Sequence, residues 1–386
     1  MHLPVSLRMT AVATLAATLI CPTVARSTDR RIDRAGQRFG SAPAEVSVEP
    51  YGGPPVVGDY VTLAPALAPL PPGNRTHDVR FDIVAREIEI ASGVRYRAWT
   101  FGGSVPGPVL HVREGDRVVF SMTNRSAELV ELTPPARGGA PFLAQLAERG
   151  LQGGTPFAAP MPHSMDFHAG TVAPDDKWRP IQPGESIRFE WTANYPGVFL
   201  YHCGQPPVYL HMAMGQYGVV VVSPRDGYPT DSEVDRSYVV VQSEFYLAEG
   251  EDGAWSLDFE AAMARRPSHV LFNGHARALV DRPLLAEAGE RVRLYVHNVG
   301  PTDTSSFHVI GTIFDTVYYE GNPANEMRGM QTVLLGASNG AVVEFIVPEE
   351  GAYPFVDHEF ADATLGAFGK LIAGPPGEAA TAMDAH

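Results

Sequence analysis

The chain has 386 residues, 45% hydrophobic and 19% charged, an ordinary globular composition with length for two packed cores. A formal net charge of −15 argues against a general nucleic-acid binder. There are two cysteines, Cys21 and Cys203, and Cys21 lies in an apolar N-terminal segment. If that segment is removed, the remaining thiol excludes an intramolecular disulfide and any Cys-only zinc or iron–sulfur site.

Residues 1–25 read as a secretory signal. Arg8 supplies the positive start, Met9 to Ile20 is apolar or neutral, and Thr23-Val24-Ala25 offers small residues for cleavage. The apolar run is too short to span a bilayer. Its removal leaves 28 Lys and Arg against 44 Asp and Glu, a balance of −16. Such a surface attracts a basic partner, such as a small electron-carrier protein, at low salt. A periplasmic or secreted location follows from the same signal. Residues 26–76 are rich in Pro, Gly, Arg and Asp and read as an extended arm.

Gly 38 and Pro 34 suit short strands joined by turns. Strand signals run through Val79–Ile90, Val94–Phe101, Val109–Val112, Arg117–Thr123, Ser186–Ala193, Val198–His202 and Gly218–Val222. A polar stretch at 224–236 separates a second series. It comprises Tyr238–Tyr246, Val270–Phe272, Arg291–Asn298, Phe307–Ile310, Thr316–Tyr319, Ala341–Val347 and Ala352–Val356, with one helix at Phe259–Arg265. The pattern predicts an all-β chain of two antiparallel sandwiches, at 77–224 and 225–376, with a tail at 377–386. Glu114-Gly115-Asp116-Arg117-Val118 resembles Ala288-Gly289-Glu290-Arg291-Val292, so the halves read as diverged copies. The first copy carries an insertion at about 128–160, predicted to shape donor docking or pocket access.

Two histidine clusters carry the chemistry. One is His163-Ser-Met-Asp166-Phe-His168. The other is His202-Cys203, with His211 eight residues after the cysteine. Neighbours on a strand point to opposite faces, so His202 and Cys203 diverge, as do His163 and His168 if their strand is regular. Pairing by face gives two metal sites. Cys203 joins His163 and, from the loop beyond, His211. His202 joins His168, with Asp166 on the same face and His358 as the natural third histidine. Two imidazoles and a thiolate are a blue-copper set, and three neutral imidazoles leave copper or zinc an open position. His77, His111, His269, His275 and His297 read as core or surface residues.

These two clusters, together with Ser306-Phe307-His308-Val309-Ile310-Gly311 and Asp357-His358, resemble copper-containing nitrite reductases over roughly 77–375. The resemblance implies two tandem cupredoxin-like Greek-key domains and a homotrimer. It implies type 1 copper on His163, Cys203 and His211. It implies type 2 copper on His168 and His202, with His358 from a neighbouring subunit. Asp166 and His308 would be proton donors, and Ile310 would cap the substrate pocket. The substrate would be nitrite and the donor a cupredoxin or a cytochrome c. The electron would pass from type 1 to type 2 copper through Cys203-His202. The family's axial Met is replaced by Gln216, with Met214 as the competing ligand; an amide oxygen favours Cu(II) and predicts a lower potential. A multicopper oxidase reducing O₂ would need His-x-His pairs, which are absent from the sequence. A pure electron carrier leaves His168, His202 and His358 unexplained, and a hydrolase has no Gly-x-Ser-x-Gly.

Overall fold

A computed structural model describes residues 41–48, 61–62, 65–129 and 157–374. The expectations placed on 1–25, on 377–386 and on the middle of the insertion lie outside the described residues, as does most of 26–76. All described residues belong to one compact unit, Arg38–His386.

The fold is all-β, two tandem cupredoxin-like Greek-key sandwiches. In the first half a four-stranded sheet runs Glu45–Val48, Glu185–Thr192, Arg117–Thr123, Thr76–Arg80. It faces a five-stranded sheet ordered Val61–Thr62, Val109–Arg113, Tyr217–Ser223, Gly197–His202, Asp166–Phe167. Phe81, Phe120, Phe167, Phe189, Trp191 and Tyr201 fill the space between them. In the second half a six-stranded sheet holds Arg236–Phe245, Arg291–Gly300 and Asn339–Ile346 at its centre. Its five-stranded partner contains Ser305–Val309 and Gly351–Asp357. Val240, Leu294, Phe307, Val343 and Phe355 are in that core.

A third cluster explains the uninterrupted apolar runs. Val220 and Val222 face the first core, whereas Val219 and Val221 pack with Leu200, Val239, Val241 and Val342. Strands in this layer are therefore buried on both faces, which removes the polar alternation of a half-exposed strand. A further four-stranded sheet draws from both halves, with Trp255 pairing parallel to Tyr96 beside the hairpin of Ile83–Ala91 and Val94–Phe101.

Several expectations need correction. Antiparallel pairing is not uniform: Val109–Arg113 lies parallel to Tyr217–Ser223, and Arg236–Phe245 parallel to Arg291–Gly300. Parallel neighbours need long crossovers, and the connections that pass through other sheets supply them. Val79–Ile90 is two strands, Thr76–Arg80 and Ile83–Ala91, which belong to different sheets. The expected histidine strand shrinks to Asp166–Phe167, and His211 sits in a short helix, Val208–Ala213, rather than a loop. The one expected helix, Phe259–Arg265, is present as the shorter Phe259–Met263, where the Asp258 side chain accepts from the Ala261 N–H at 2.8 Å.

Candidate metal centres

Cys203 directly follows the strand Gly197–His202. Its N–H donates to the Gln216 carbonyl at 3.1 Å, and the Gln216 N–H donates to the His211 carbonyl at 3.1 Å. These bonds close the loop that carries three of the side chains. The fourth, His163, is pinned by reciprocal backbone bonds with Ile181 at 3.1 and 2.7 Å. The result is a buried cluster. His163 Nδ1 lies 3.1 Å from His211 Nδ1, and Cys203 Sγ lies 3.4 Å from His211 Nδ1 and 3.9 Å from His163 Nδ1. Gln216 is fully buried, with Oε1 3.0 Å from His211 Nδ1 and Nε2 without a partner. Met214 is turned elsewhere: its sulfur accepts from the Tyr96 hydroxyl at 3.8 Å.

Burial pushes the His163 imidazole down to about 3, with the nearby His211 adding to the effect, and burial also lowers His211. Both rings are therefore neutral, the form that binds a metal. Burial pushes the Cys203 thiol up to about 11, although the Ser164 N–H donates to its sulfur at 3.4 Å. A thiol in that state gives up its proton only when a cation takes its place.

The second cluster lies on the other face of the same strand end. His168 Nε2 is 3.2 Å from His202 Nε2, and Asp166 Oδ2 is 3.7 Å from His202 Nε2. His202 pairs in register with Asp166 across the two strands, which places both on one face. The His202 Nδ1–H donates to the Cys203 carbonyl at 2.9 Å, which fixes the tautomer with a lone pair on Nε2. Burial raises the Asp166 pKa, opposed by His202.

Among the described residues these two groups alone gather three potential ligands: His163, Cys203 and His211, and Asp166, His168 and His202, with donor atoms within 4.8 Å of one another. His358, His308 and Ile310 are not part of the second group within one chain. They form their own surface cluster on the second half. The His308 and His358 rings are 5.5 Å apart, His308 Nδ1 meets the Gln331 carbonyl, and Ile310 is 43% exposed. Asp357, beside His358, is buried and accepts from Gln242 Nε2 at 2.6 Å and from the Ser306 N–H at 2.9 Å, which fixes this strand end.

The sequence reading missed three contributors. Trp99 packs against both rings of the cysteine site, at 5.0 Å from His211 and 5.5 Å from His163. Ser164 positions Cys203 and its loop, its hydroxyl accepting from the Gly204 N–H at 3.0 Å. Ser338 meets His168 from the other half of the chain. Only Ser164 lay inside a recognised motif; the other two are far from it in sequence.

A multicopper oxidase family profile matches residues 82–134. A copper-containing nitrite reductase of Neisseria meningitidis serogroup B is 37% identical over 330 residues, covering 83% of this chain and 75% of that protein. The structure of a copper nitrite reductase from Nitrosomonas europaea superposes with a TM-score of 0.64 at 35% identity, over 78% of this chain and 95% of that one. A copper-containing nitrite reductase from Thermus scotoductus superposes with a TM-score of 0.63 at 32% identity, over 78% of this chain and 62% of that one. The chain belongs to the copper-containing nitrite reductase family.

For a copper-containing nitrite reductase the donor chemistry is consistent. The cysteine cluster converges two Nδ1 atoms and one thiol sulfur in a dry site, a set suited to a soft, redox-active ion. The histidine cluster presents two Nε2 atoms and a carboxylate near the surface, a harder set.

Proposed function

We propose that this chain reduces nitrite to nitric oxide and water, consuming one electron and two protons. In this reading His163, Cys203, His211 and Gln216 hold a type 1 copper. His168 and His202, with His358 of the partner subunit, hold a type 2 copper, one of each per chain. Copper bound there would supply a one-electron relay at the cysteine site and a Lewis-acid position for anionic nitrite at the histidine site.

The observation that carries the reading is the adjacency of His202 and Cys203. Consecutive residues belong to two separate donor sets, so a short covalent path joins them. Asp166 hangs beside His202 with Oδ1 buried and unpartnered, able to hold a proton for the nitrite oxygen. In this reading His308, its ring held by the Gln331 carbonyl, is the second proton donor and Ile310, two residues on, caps the pocket, both beside His358 on the surface that would meet the partner subunit. The exposure of His358, with Phe360 67% exposed and 4.7 Å from its ring, supports a subunit contact there and a homotrimer. The two domains meet at about 224/225. The acidic surface favours a basic electron-donor protein, a cupredoxin or cytochrome c, in the periplasm or outside the cell. The insertion at about 128–160 would shape that docking or access to the pocket.

Nitric oxide release from nitrite under a chemical reductant tests the reading. Asp166→Asn should lower turnover by about 10²–10⁴-fold while both coppers are retained. Unchanged turnover in that variant would remove Asp166 from the reaction.

A further inference from the structure

Ser338 stands where local backbone chemistry asks for glycine. Residues 336–338 connect the strand Thr332–Leu335 to Asn339–Ile346. The two strands belong to different sheets, so the chain turns sharply between them, and a left-handed residue in such a turn favours glycine. Ser338 has φ of 62°, well inside that region. A side chain held there at a cost in backbone strain points to a function for the side chain.

Its hydroxyl has one. Ser338 Oγ lies 3.2 Å from His168 Nδ1, across 170 residues of sequence and from the other half of the molecule. The approach is held by close backbone packing. A Cβ on Gly340 would lie 2.6 Å from the Val198 carbonyl oxygen, so the strand that begins just after Ser338 abuts the strand that carries His202. The His168 N–H in turn donates to the Leu200 carbonyl at 3.0 Å, which ties His168 to that same strand.

We propose that Ser338 is a positioning residue for His168, holding its ring so that Nε2 is the metal-binding nitrogen. The hydroxyl oxygen accepts the Nδ1 proton, which leaves the Nε2 lone pair aimed toward His202 Nε2, 3.2 Å away. His202 has the matching arrangement, with Nδ1 on the Cys203 carbonyl. The two ligands are thus oriented by different halves of the chain, and relative movement of the halves would disturb one of them. The inference rests on the two-site reading above.

The test compares Ser338→Ala, Ser338→Gly and Ser338→Thr in the full-length protein. Copper affinity at the histidine site is read by chelator competition and by its EPR signal, with the cysteine site as internal control. Ala and Gly should both weaken the histidine-site copper by about 10–100-fold and alter its EPR parameters, leaving the cysteine site unchanged. Thr keeps the hydroxyl but adds a β-branch at a positive φ, so it should lower the melting temperature of the copper-free protein while holding the histidine-site copper more tightly than the Ala variant does. Gly should also raise the melting temperature of the copper-free protein, because it removes the strain as well as the hydroxyl. That opposition of stability and affinity is not expected of a merely structural residue. Wild-type affinity in the Ala variant overturns the proposal. Wild-type protein that binds copper only at the cysteine site overturns the two-site reading itself.

Discussion

Tyr201 precedes His202-Cys203, and its ring occupies a slot made by Gly107 and Gly218. Tyr201 is fully buried, its hydroxyl donates to the Pro108 carbonyl at 2.7 Å, and Phe81, Phe101 and Phe167 lie with ring centroids 5.4, 5.8 and 5.6 Å away. Gly218 pairs with it in register, and a Cβ added there would sit 2.2 Å from both Cζ and Oη. Ordinary contact is about 3.5–4.0 Å, so Gly218→Ala must move the ring by more than an ångström or displace the strand. Moving the ring breaks the bond to a buried carbonyl, at about 1–3 kcal/mol. Overpacking adds about 1–3 kcal/mol. The sum, about 2–6 kcal/mol, is a large share of the 5–15 kcal/mol typical of a folded domain. Tyr201→Phe keeps the ring and loses only the bond, so it should cost about 1–3 kcal/mol. Urea unfolding of the copper-free protein measures both. The copper-loaded form should also show a shifted thiolate-to-copper absorption in Gly218→Ala, because Tyr201 lies two residues before Cys203 on the strand that leads into it. A Gly218→Ala variant within about 0.5 kcal/mol of wild type, with an unchanged spectrum, would refute the packing argument.

Gln216→Met should raise the potential of the cysteine-site copper, because a thioether is softer than an amide oxygen. It should also stabilise or spare the fold, since it removes the unpartnered buried Nε2; redox titration and thermal melting check the two effects. Asp362 supplies a pH dependence. Burial first, then Asp357, Glu359, Asp303 and Glu244, push its carboxyl from 3.8 up to about 7. Between those values the folded chain holds a proton that the unfolded chain has lost, so stability falls as pH rises through the window. Asp362→Asn should therefore stabilise the protein above pH about 7 and leave it unchanged near pH 4, as read from melting temperatures across that range.

Much of the site was legible because its chemistry is local. His202 and Cys203 are adjacent, and strand alternation alone sends them to opposite faces; the structure places them in separate groups of donor atoms. The cysteine-site ligands come from two short segments whose spacing is visible in the chain. What was not legible depends on distant approach. Ser338 reaches His168 only because Gly340 lets two strands from different halves close up. Trp99 reaches His163 and His211 from a hairpin strand with no motif of its own. Strand directions failed for a related reason. Alternation reports which face a residue occupies and is silent on which strand lies beside it, so the parallel pairings could not be read from it. The short helix that carries His211 holds only six residues, too few for a periodic signal.

In the proposed function each chain binds two chemically distinct coppers and uses them to reduce nitrite. Copper quantitation with EPR on the purified, copper-loaded protein, followed by nitrite and reductant with nitric oxide detection, tests it most directly. Two coppers per chain are expected, one signal with the narrow hyperfine splitting of a thiolate site and one with the wide splitting of a histidine site, with nitric oxide formed on addition of nitrite. A single thiolate signal, or two signals without nitric oxide, would contradict it.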